Sequence, residues 1–254
     1  MIQTNKSTAM NRFFFYIILC SLPLMANAQY TSQGTIEFER KINVHRQFQD
    51  EENEWFERVK SQVPKFNISS FVLYFNQQQT KYKLAKELDD PAKMFGGYPA
   101  AENEVLTDFA THRVTAAKKI YEKNFLVEDS MRVIEWKITD EIRTIANYKC
   151  RKAVGKICDS VYVVAFYTDD IIVSGGPEMF SGLPGMILEL AVPRLYTTWV
   201  ATKVTVDPPP VNEFGAPKPP KAKKVNQKEL TEALKTGFSD WGKSAARFYW
   251  WSEL

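Results

Sequence analysis

The sequence predicts a mainly β protein of the α+β type: a curved antiparallel meander or partly open barrel with one or two accessory helices. Three observations carry this. Short segments that alternate apolar and polar residues recur from Gly34 to Val206, the spacing found in sandwiches and barrels. The links between most of them are too short for the crossovers that parallel strands require. Helical periodicity, by contrast, is confined to Asp50–Ser61 and to the stretch after Asn226.

The first strand is expected at Gly34–Ile42, where Ile36 and Phe38 alternate with charged neighbours. Asp50, Glu51 and Glu52 suit a helix start, Trp55, Phe56 and Val59 share a helical face, and Pro64 closes the segment. Phe71–Phe75 and Thr80–Leu84 form an expected hairpin across Asn76–Gln79. Asp89–Glu104 carries Pro91, Gly96, Gly97 and Pro99 and reads as a loop. Strands follow at Val105–Asp108, His112–Ala117, Lys118–Leu126, Ile134–Ile138, Tyr148–Ala153, Ser160–Thr168, Met186–Val192 and Thr197–Val206. Pro208–Pro210 and Pro217, Pro219 and Pro220 among lysines make residues 207–225 an extended linker. Asn226 with Glu229 resembles a capping box for a helix carrying Leu230 and Leu234, which should fray near Gly237. The end is aromatic, and packing back onto the sheet explains it better than a free docking tail, since large exposed apolar patches are uncommon on soluble monomers.

The beginning of the chain reads as an export signal. Arg12 supplies a positive start, Phe13–Met25 an apolar run too short to span a bilayer, and Ala26-Asn27-Ala28 a small-x-small cleavage pattern. The expected divisions are therefore 1–28 signal peptide, 29–206 β domain, 207–225 linker and 226–254 helix with aromatic tail, in a periplasmic or extracellular protein with no membrane span after cleavage. The chain has 33 Lys and Arg against 30 Asp and Glu. Lys6 and Arg12 leave with the signal, so the mature charge is +1 and gives no electrostatic reason to bind nucleic acid. The even pair Cys150 and Cys158, in an oxidising compartment, reads as a disulfide across a hairpin turning at Val154-Gly155-Lys156.

No catalytic, metal or cofactor pattern emerges, and the expectation is a protein that is not an enzyme. His45 and His112 are the two histidines, and no G-x-S-x-G elbow is present. The pairs Asp89-Asp90 and Asp169-Asp170 are adjacent in turns, where strand geometry would point them apart. Gly175-Gly176-Pro177 lacks a following phosphate-binding helix.

One segment is specific. Gly175 to Leu190 reads GGPEMFSGLPGMILEL, and Gly182, Leu183, Pro184, Gly185, Met186 and Ile187 spell GLPGMI. This resembles the signature of the GLPGLI family, exported proteins of one group of Gram-negative bacteria, with Met in place of one Leu. Trp136-Lys137-Ile138, Ile145, Tyr148–Ala153, Ala165–Thr168, Asp170-Ile171 and the opening Gly34–Phe38 also look like the family's pattern, so the resemblance covers about Gly34 to Val206. It implies an exported cell-envelope accessory or binding protein, with an outer-membrane transport protein as the partner by analogy. It brings no catalytic residue. A carrier of a lipid-like ligand in the curved sheet, and a hydrolase with an unrecognised site, are the alternatives. Asp129-Ser130-Met131 and Asp159-Ser160-Val161 fit an O-glycosylation pattern of the bacteria in which this family occurs, making Ser130 and Ser160 candidate acceptors. The GLPGMI glycines read first as the makers of a turn that most residues do not adopt, with Pro184 fixing one φ and Gly185 free to take a positive one, and changes at Leu183 are expected to cost less than at Gly185 provided its side chain points outward.

Overall fold

The computed structural model describes residues 30–254 apart from 50–57, 59, 87–99, 121, 159 and 242. The signal segment, most of the helix expected at Asp50–Ser61 and most of the loop expected at Asp89–Glu104 lie outside the described residues. The rest is mainly β: one twelve-stranded sheet that is not closed into a barrel, with helices at its side.

The strands are β1 Gly34–Asn43, β2 Phe66–Phe75, β3 Gln79–Lys86, β4 Glu104–Asp108, β5 Arg113–Ile120, β6 Lys123–Ser130, β7 Lys137–Ile145, β8 Tyr148–Ile157, β9 Val161–Thr168, β10 Met186–Val192, β11 Thr197–Thr205 and β12 Lys223–Val225. Their order in the sheet is β12-β6-β5-β4-β3-β2-β1-β11-β10-β9-β8-β7. Two antiparallel meanders, β1 to β6 and β7 to β11, are therefore joined along the β1–β11 seam, where Thr35 pairs with Thr205 and Ile42 with Thr197.

Chain length forces this sheet to roll. β6 and β7 lie ten strand positions apart, which in a flat sheet is about 48 Å. Yet only residues 131–136 connect them, and such a stretch reaches about 25 Å at most. The rolled sheet brings the two ends close enough for a short crossing over its open side. Gly155, toward the end of β8, makes room for that crossing: a Cβ there would lie 2.7 Å from Ile134 and 2.9 Å from Trp136. The sequence pattern reads this glycine as a turn, whereas the chain uses it for close approach.

Period-two burial sets the faces. In β1, Ile36, Phe38, Arg40 and Ile42 are buried while Glu37 and Glu39 are exposed. The inward residues of the other strands join one core with Phe71, Leu73, Ala116, Val163, Leu190 and Trp199. The C-terminal part covers this inner face. Helix α2 (Gln227–Gly237) has the expected capping box, with the Asn226 side chain accepting from Glu229 N at 2.9 Å and Glu229 returning the bond to Asn226 N. Leu230 and Leu234 are buried beneath it. The aromatic tail forms a further helix, α3 (Lys243–Ser252), and puts Trp251 and Leu254 into the core. A short helix α1 (Val44–Gln49) continues β1.

Other expectations are corrected. The turn expected near 117–118 falls beyond Ile120, because Lys118 is an inward residue of β5 and not a break in it. β7 runs from Lys137 to Ile145, nearly all of it exposed, which erases the apolar alternation that would mark it. Residues 207–225 are pinned to the outer face: Lys81 Nζ donates to the Gly215 carbonyl at 2.6 Å, Lys83 pairs with Glu213, and Lys223–Val225 join β6 in parallel. The Cys150–Cys158 disulfide is absent: Cys150 is buried and Cys158 exposed, with no bridge between them. β8 continues to Ile157 and turns only afterwards, so the two cysteines lie eight residues apart along one extended segment, about 26 Å. That is far beyond the Cα separation of roughly 7 Å that a disulfide tolerates.

Candidate functional site

The inner face carries a polar cluster at the foot of the loop that links β9 to β10. Arg40 of β1, Tyr82 of β3, Lys118 of β5 and Trp199 of β11 all point inward and are almost wholly buried. Asn103, just before β4, and Glu178, in the loop, complete it. Asn103 Nδ2 donates to Glu178 Oε2 at 2.8 Å, while Glu178 Oε1 is buried with no protein donor. Trp199 Nε1 donates to Tyr82 Oη at 3.0 Å. Arg40 donates to the carbonyl of Ala100 at 2.6 Å and lies over the Phe71 ring at 4.8 Å. Lys118 Nζ donates to the carbonyl of Ser252 at 2.5 Å.

Burial dominates the proton affinities. It pushes the Glu178 carboxyl up, against the pull of Arg40, the Asn103 bond and Lys118. It brings Lys118 down to about 7, helped by the nearby Arg132. Burial and the Glu178 charge together raise Tyr82 well above its ordinary range. Removing one member of such a buried ionic group leaves another uncompensated, at a cost of roughly 3–5 kcal/mol. The cluster therefore ties the β9–β10 loop to the sheet, and Lys118 ties the C-terminal tail to the same point.

Glu178 is itself strained, with φ of 55°. The cost of left-handed backbone at a residue with a side chain is about 1–2 kcal/mol, and the chain bears it to turn this carboxylate inward. The remainder of the loop is held by backbone bonds: Ile187 N to Gly175 O at 2.9 Å, Met186 N to Ile171 O at 3.1 Å, and Trp136 Nε1 to Ser181 O at 3.0 Å.

GLPGMI forms the other limb of this loop. Gly182 and Pro184 are exposed, whereas Leu183, Met186 and Ile187 are buried. Leu183 therefore points inward, because the buried and exposed residues of this limb alternate, and the condition for a cheap change there is not met. Gly185 has φ of 145°, and a Cβ there would stand 2.0 Å from the carbonyl oxygen of Thr168. The candidate acceptors Ser130 and Ser160 are both exposed, at the end of β6 and in the β8–β9 turn. His45 Nε2 is bonded to the carbonyl of Val63, and His112 occupies a left-handed turn with φ of 53°.

A cavity of about 210 Å³ opens beside the loop, lined by Thr107, Val114, Val127, Asp129, Ser130, Met131, Arg132, Met179, Ser181 and Gln227. Its volume is small for a lipid chain, since drug-sized sites run to roughly 300–1,000 Å³. Among the described residues no group of three or more His, Cys, Asp and Glu is placed to hold a metal, and no helix is long and apolar enough to cross a membrane.

Sequence reasoning located the loop but missed Arg40, Tyr82, Lys118 and Glu178. A signal was present for two of them. Arg40 occupies the inward slot of Ile36, Phe38, Arg40, Ile42, and Lys118 that of Val114, Ala116, Lys118, Ile120. A charge in an apolar register marks a buried ion.

Comparison with known proteins bears on the same segment. A family model described as a protein of unknown function (Porph_ging) matches residues 155–189, from within β8 through the loop into β10. No curated protein matches the chain. Two crystal forms of PNGF-II share 15% and 17% identity over 79% and 84% of this chain, each with a TM-score of 0.51. This chain spans about a third of theirs, 32% and 33%. At that identity the likeness shows the fold alone. The MucA/MucB complex of Pseudomonas aeruginosa matches over 75% of this chain and 57% of that one, at 10% identity and a TM-score of 0.39.

Proposed function

We propose that this is an exported accessory protein of the cell envelope that acts by binding, without catalysis, and that it binds with the end of the molecule formed by the 175–185 loop. The observation that carries the reading is the buried cluster of Arg40, Lys118, Tyr82, Asn103 and Glu178, which holds a strained loop in one position. Such stored strain concentrates where a segment must be presented in a fixed shape. The family model falls on this same segment, and the GLPGMI hexapeptide, resembling the GLPGLI signature, lies within it. Placement in the envelope rests on the export pattern ending at Ala28. The partner by family analogy is an outer-membrane transport protein, and the exposed Ser130 and Ser160 are the proposed glycan acceptors.

A photo-crosslinking residue at the exposed Pro184, with a second at exposed Ile142 on β7 as control, tests this in intact cells. The expected result is a mature chain beginning at Gln29 and one envelope protein crosslinked from Pro184 alone. A chain retaining residues 11–28, or equal crosslinking from both positions, would overturn the reading.

A further inference from the structure

Three segments remote from one another in sequence meet at the buried cluster. Arg40 donates to the Ala100 carbonyl at 2.6 Å, near the end of the link between β3 and β4. Asn103 of the same link holds Glu178 of the 175–185 loop. The third segment is the C-terminal tail. Lys118 donates to the Ser252 carbonyl at 2.5 Å, and the Arg40 guanidinium lies 6.0 Å from the centre of the Trp251 ring.

The tail is held in a different way from the sheet. Residues 243–254 belong to no strand, and the amides of Glu253 and Leu254 bond back to Trp250 and Trp251. Side chains make the attachment. Trp251 and Leu254 lie in the core, and Arg132 donates to the Glu253 carbonyl at 2.9 Å and to its carboxylate. Thr231 donates to that carboxylate at 3.1 Å, and Gln227 to the Ser252 carbonyl at 3.1 Å. The tail can therefore leave without breaking a bond between strands.

Burial gives the cluster its strength. Arg40 and Lys118 both attract the Glu178 charge, and such attraction grows as water is excluded. Glu178 bears a left-handed φ of 55°, a conformation that persists where the surroundings over-determine it. With Trp251 and Ser252 withdrawn, water reaches Arg40 and Lys118, the attraction weakens, and the strained turn loses part of what fixes it.

We propose that the C-terminal tail is a strap that sets the state of the loop: docked on the cluster it keeps residues 175–185 in their strained form, and undocked it frees them. The coupling is reciprocal, so whatever fixes the loop also tightens the tail. It is a property of the chain alone and does not rest on the loop having a partner.

Hydrogen exchange of the purified full chain, followed by mass spectrometry, tests this. Leu254→Ala removes a buried side chain from the tail. The expected result is exchange at least about fivefold faster in the tail and in residues 175–185, the lower end of usual couplings, with β1 and β2 unchanged. If Leu254→Ala unfolds, Glu253→Ala, which removes the carboxylate held by Arg132 and Thr231, should give the same pattern in a folded chain. From the other side, Glu178→Ala should speed exchange in the tail by a similar factor. A tail that opens while the loop stays protected, a Glu178→Ala chain with unchanged tail exchange, or acceleration spread evenly through β1 and β2 would overturn the inference.

Discussion

The indole of Trp199 donates to the hydroxyl of Tyr82 at 3.0 Å, although two strands, β1 and β2, separate their own strands in the sheet. The contact spans the rolled inner face. The Tyr82 hydroxyl lowers the proton affinity of the Glu178 carboxyl, though burial outweighs it. Arg40 lies over the same Phe71 ring on which Tyr82 stacks, at 4.9 Å between centroids.

Tyr82→Phe should lower stability by about 1–3 kcal/mol, because it leaves the Trp199 N–H buried without an acceptor. Replacing both residues with Phe should cost less than the sum of the single changes, since the orphaned group disappears with its partner. Denaturant unfolding of the two single variants and the double variant checks this.

The pH dependence has a defined sign. Glu178 binds its proton more tightly folded than unfolded, so it stabilises most below its ordinary value of 4.5 and loses that contribution as pH rises through the raised folded value. Glu178→Gln keeps the Asn103 bond and should flatten the decline above pH 4.5. Lys118 behaves in the opposite direction: its folded value of about 7 lies below 10.5, so stability rises between those values. Lys118→Met should remove that rise. Thermal unfolding from pH 4 to 10 on all three chains measures both.

Within GLPGMI the three central residues should separate. Gly185→Ala meets the Thr168 carbonyl at 2.0 Å and forces the backbone to move, at about 2 kcal/mol or more. Leu183→Ala empties a buried site and should cost about 2–5 kcal/mol. Pro184→Ala changes an exposed ring and should cost less than about 1 kcal/mol. Melting temperatures should rank accordingly.

The two thiols should differ sharply. Cys158 is exposed, whereas Cys150 is buried with its thiol pushed up to about 12. Native protein should take up one equivalent of a thiol reagent, at Cys158, and denatured protein without reductant should take up both. A protein that yields no free thiol when denatured would show a bridge in place of this arrangement.

How legible all this was depends on the element. Strands with one wet face, such as β1, announce themselves by alternation, and the Asn226–Glu229 box marks α2. β7 does not, because almost every residue in it faces water, and β12 is three residues held by pairing with β6. Gly155 read as a turn because sequence shows a missing side chain without showing what fills the space, here Ile134 and Trp136. The loop was found from Gly175–Ile187. Its anchor was not, since Arg40, Tyr82, Lys118 and Glu178 meet only when the sheet rolls.

The seam between β1 and β11 also governs how the molecule forms. Each meander is assembled from neighbouring hairpins, which close quickly, whereas Thr35 must find Thr205 across about two thirds of the chain. The seam is therefore the slow step, expected in milliseconds to seconds as for other long-range β pairings. Until it closes, β1 and β11 are bare edges, and a half-assembled chain is most exposed there to joining another copy of itself.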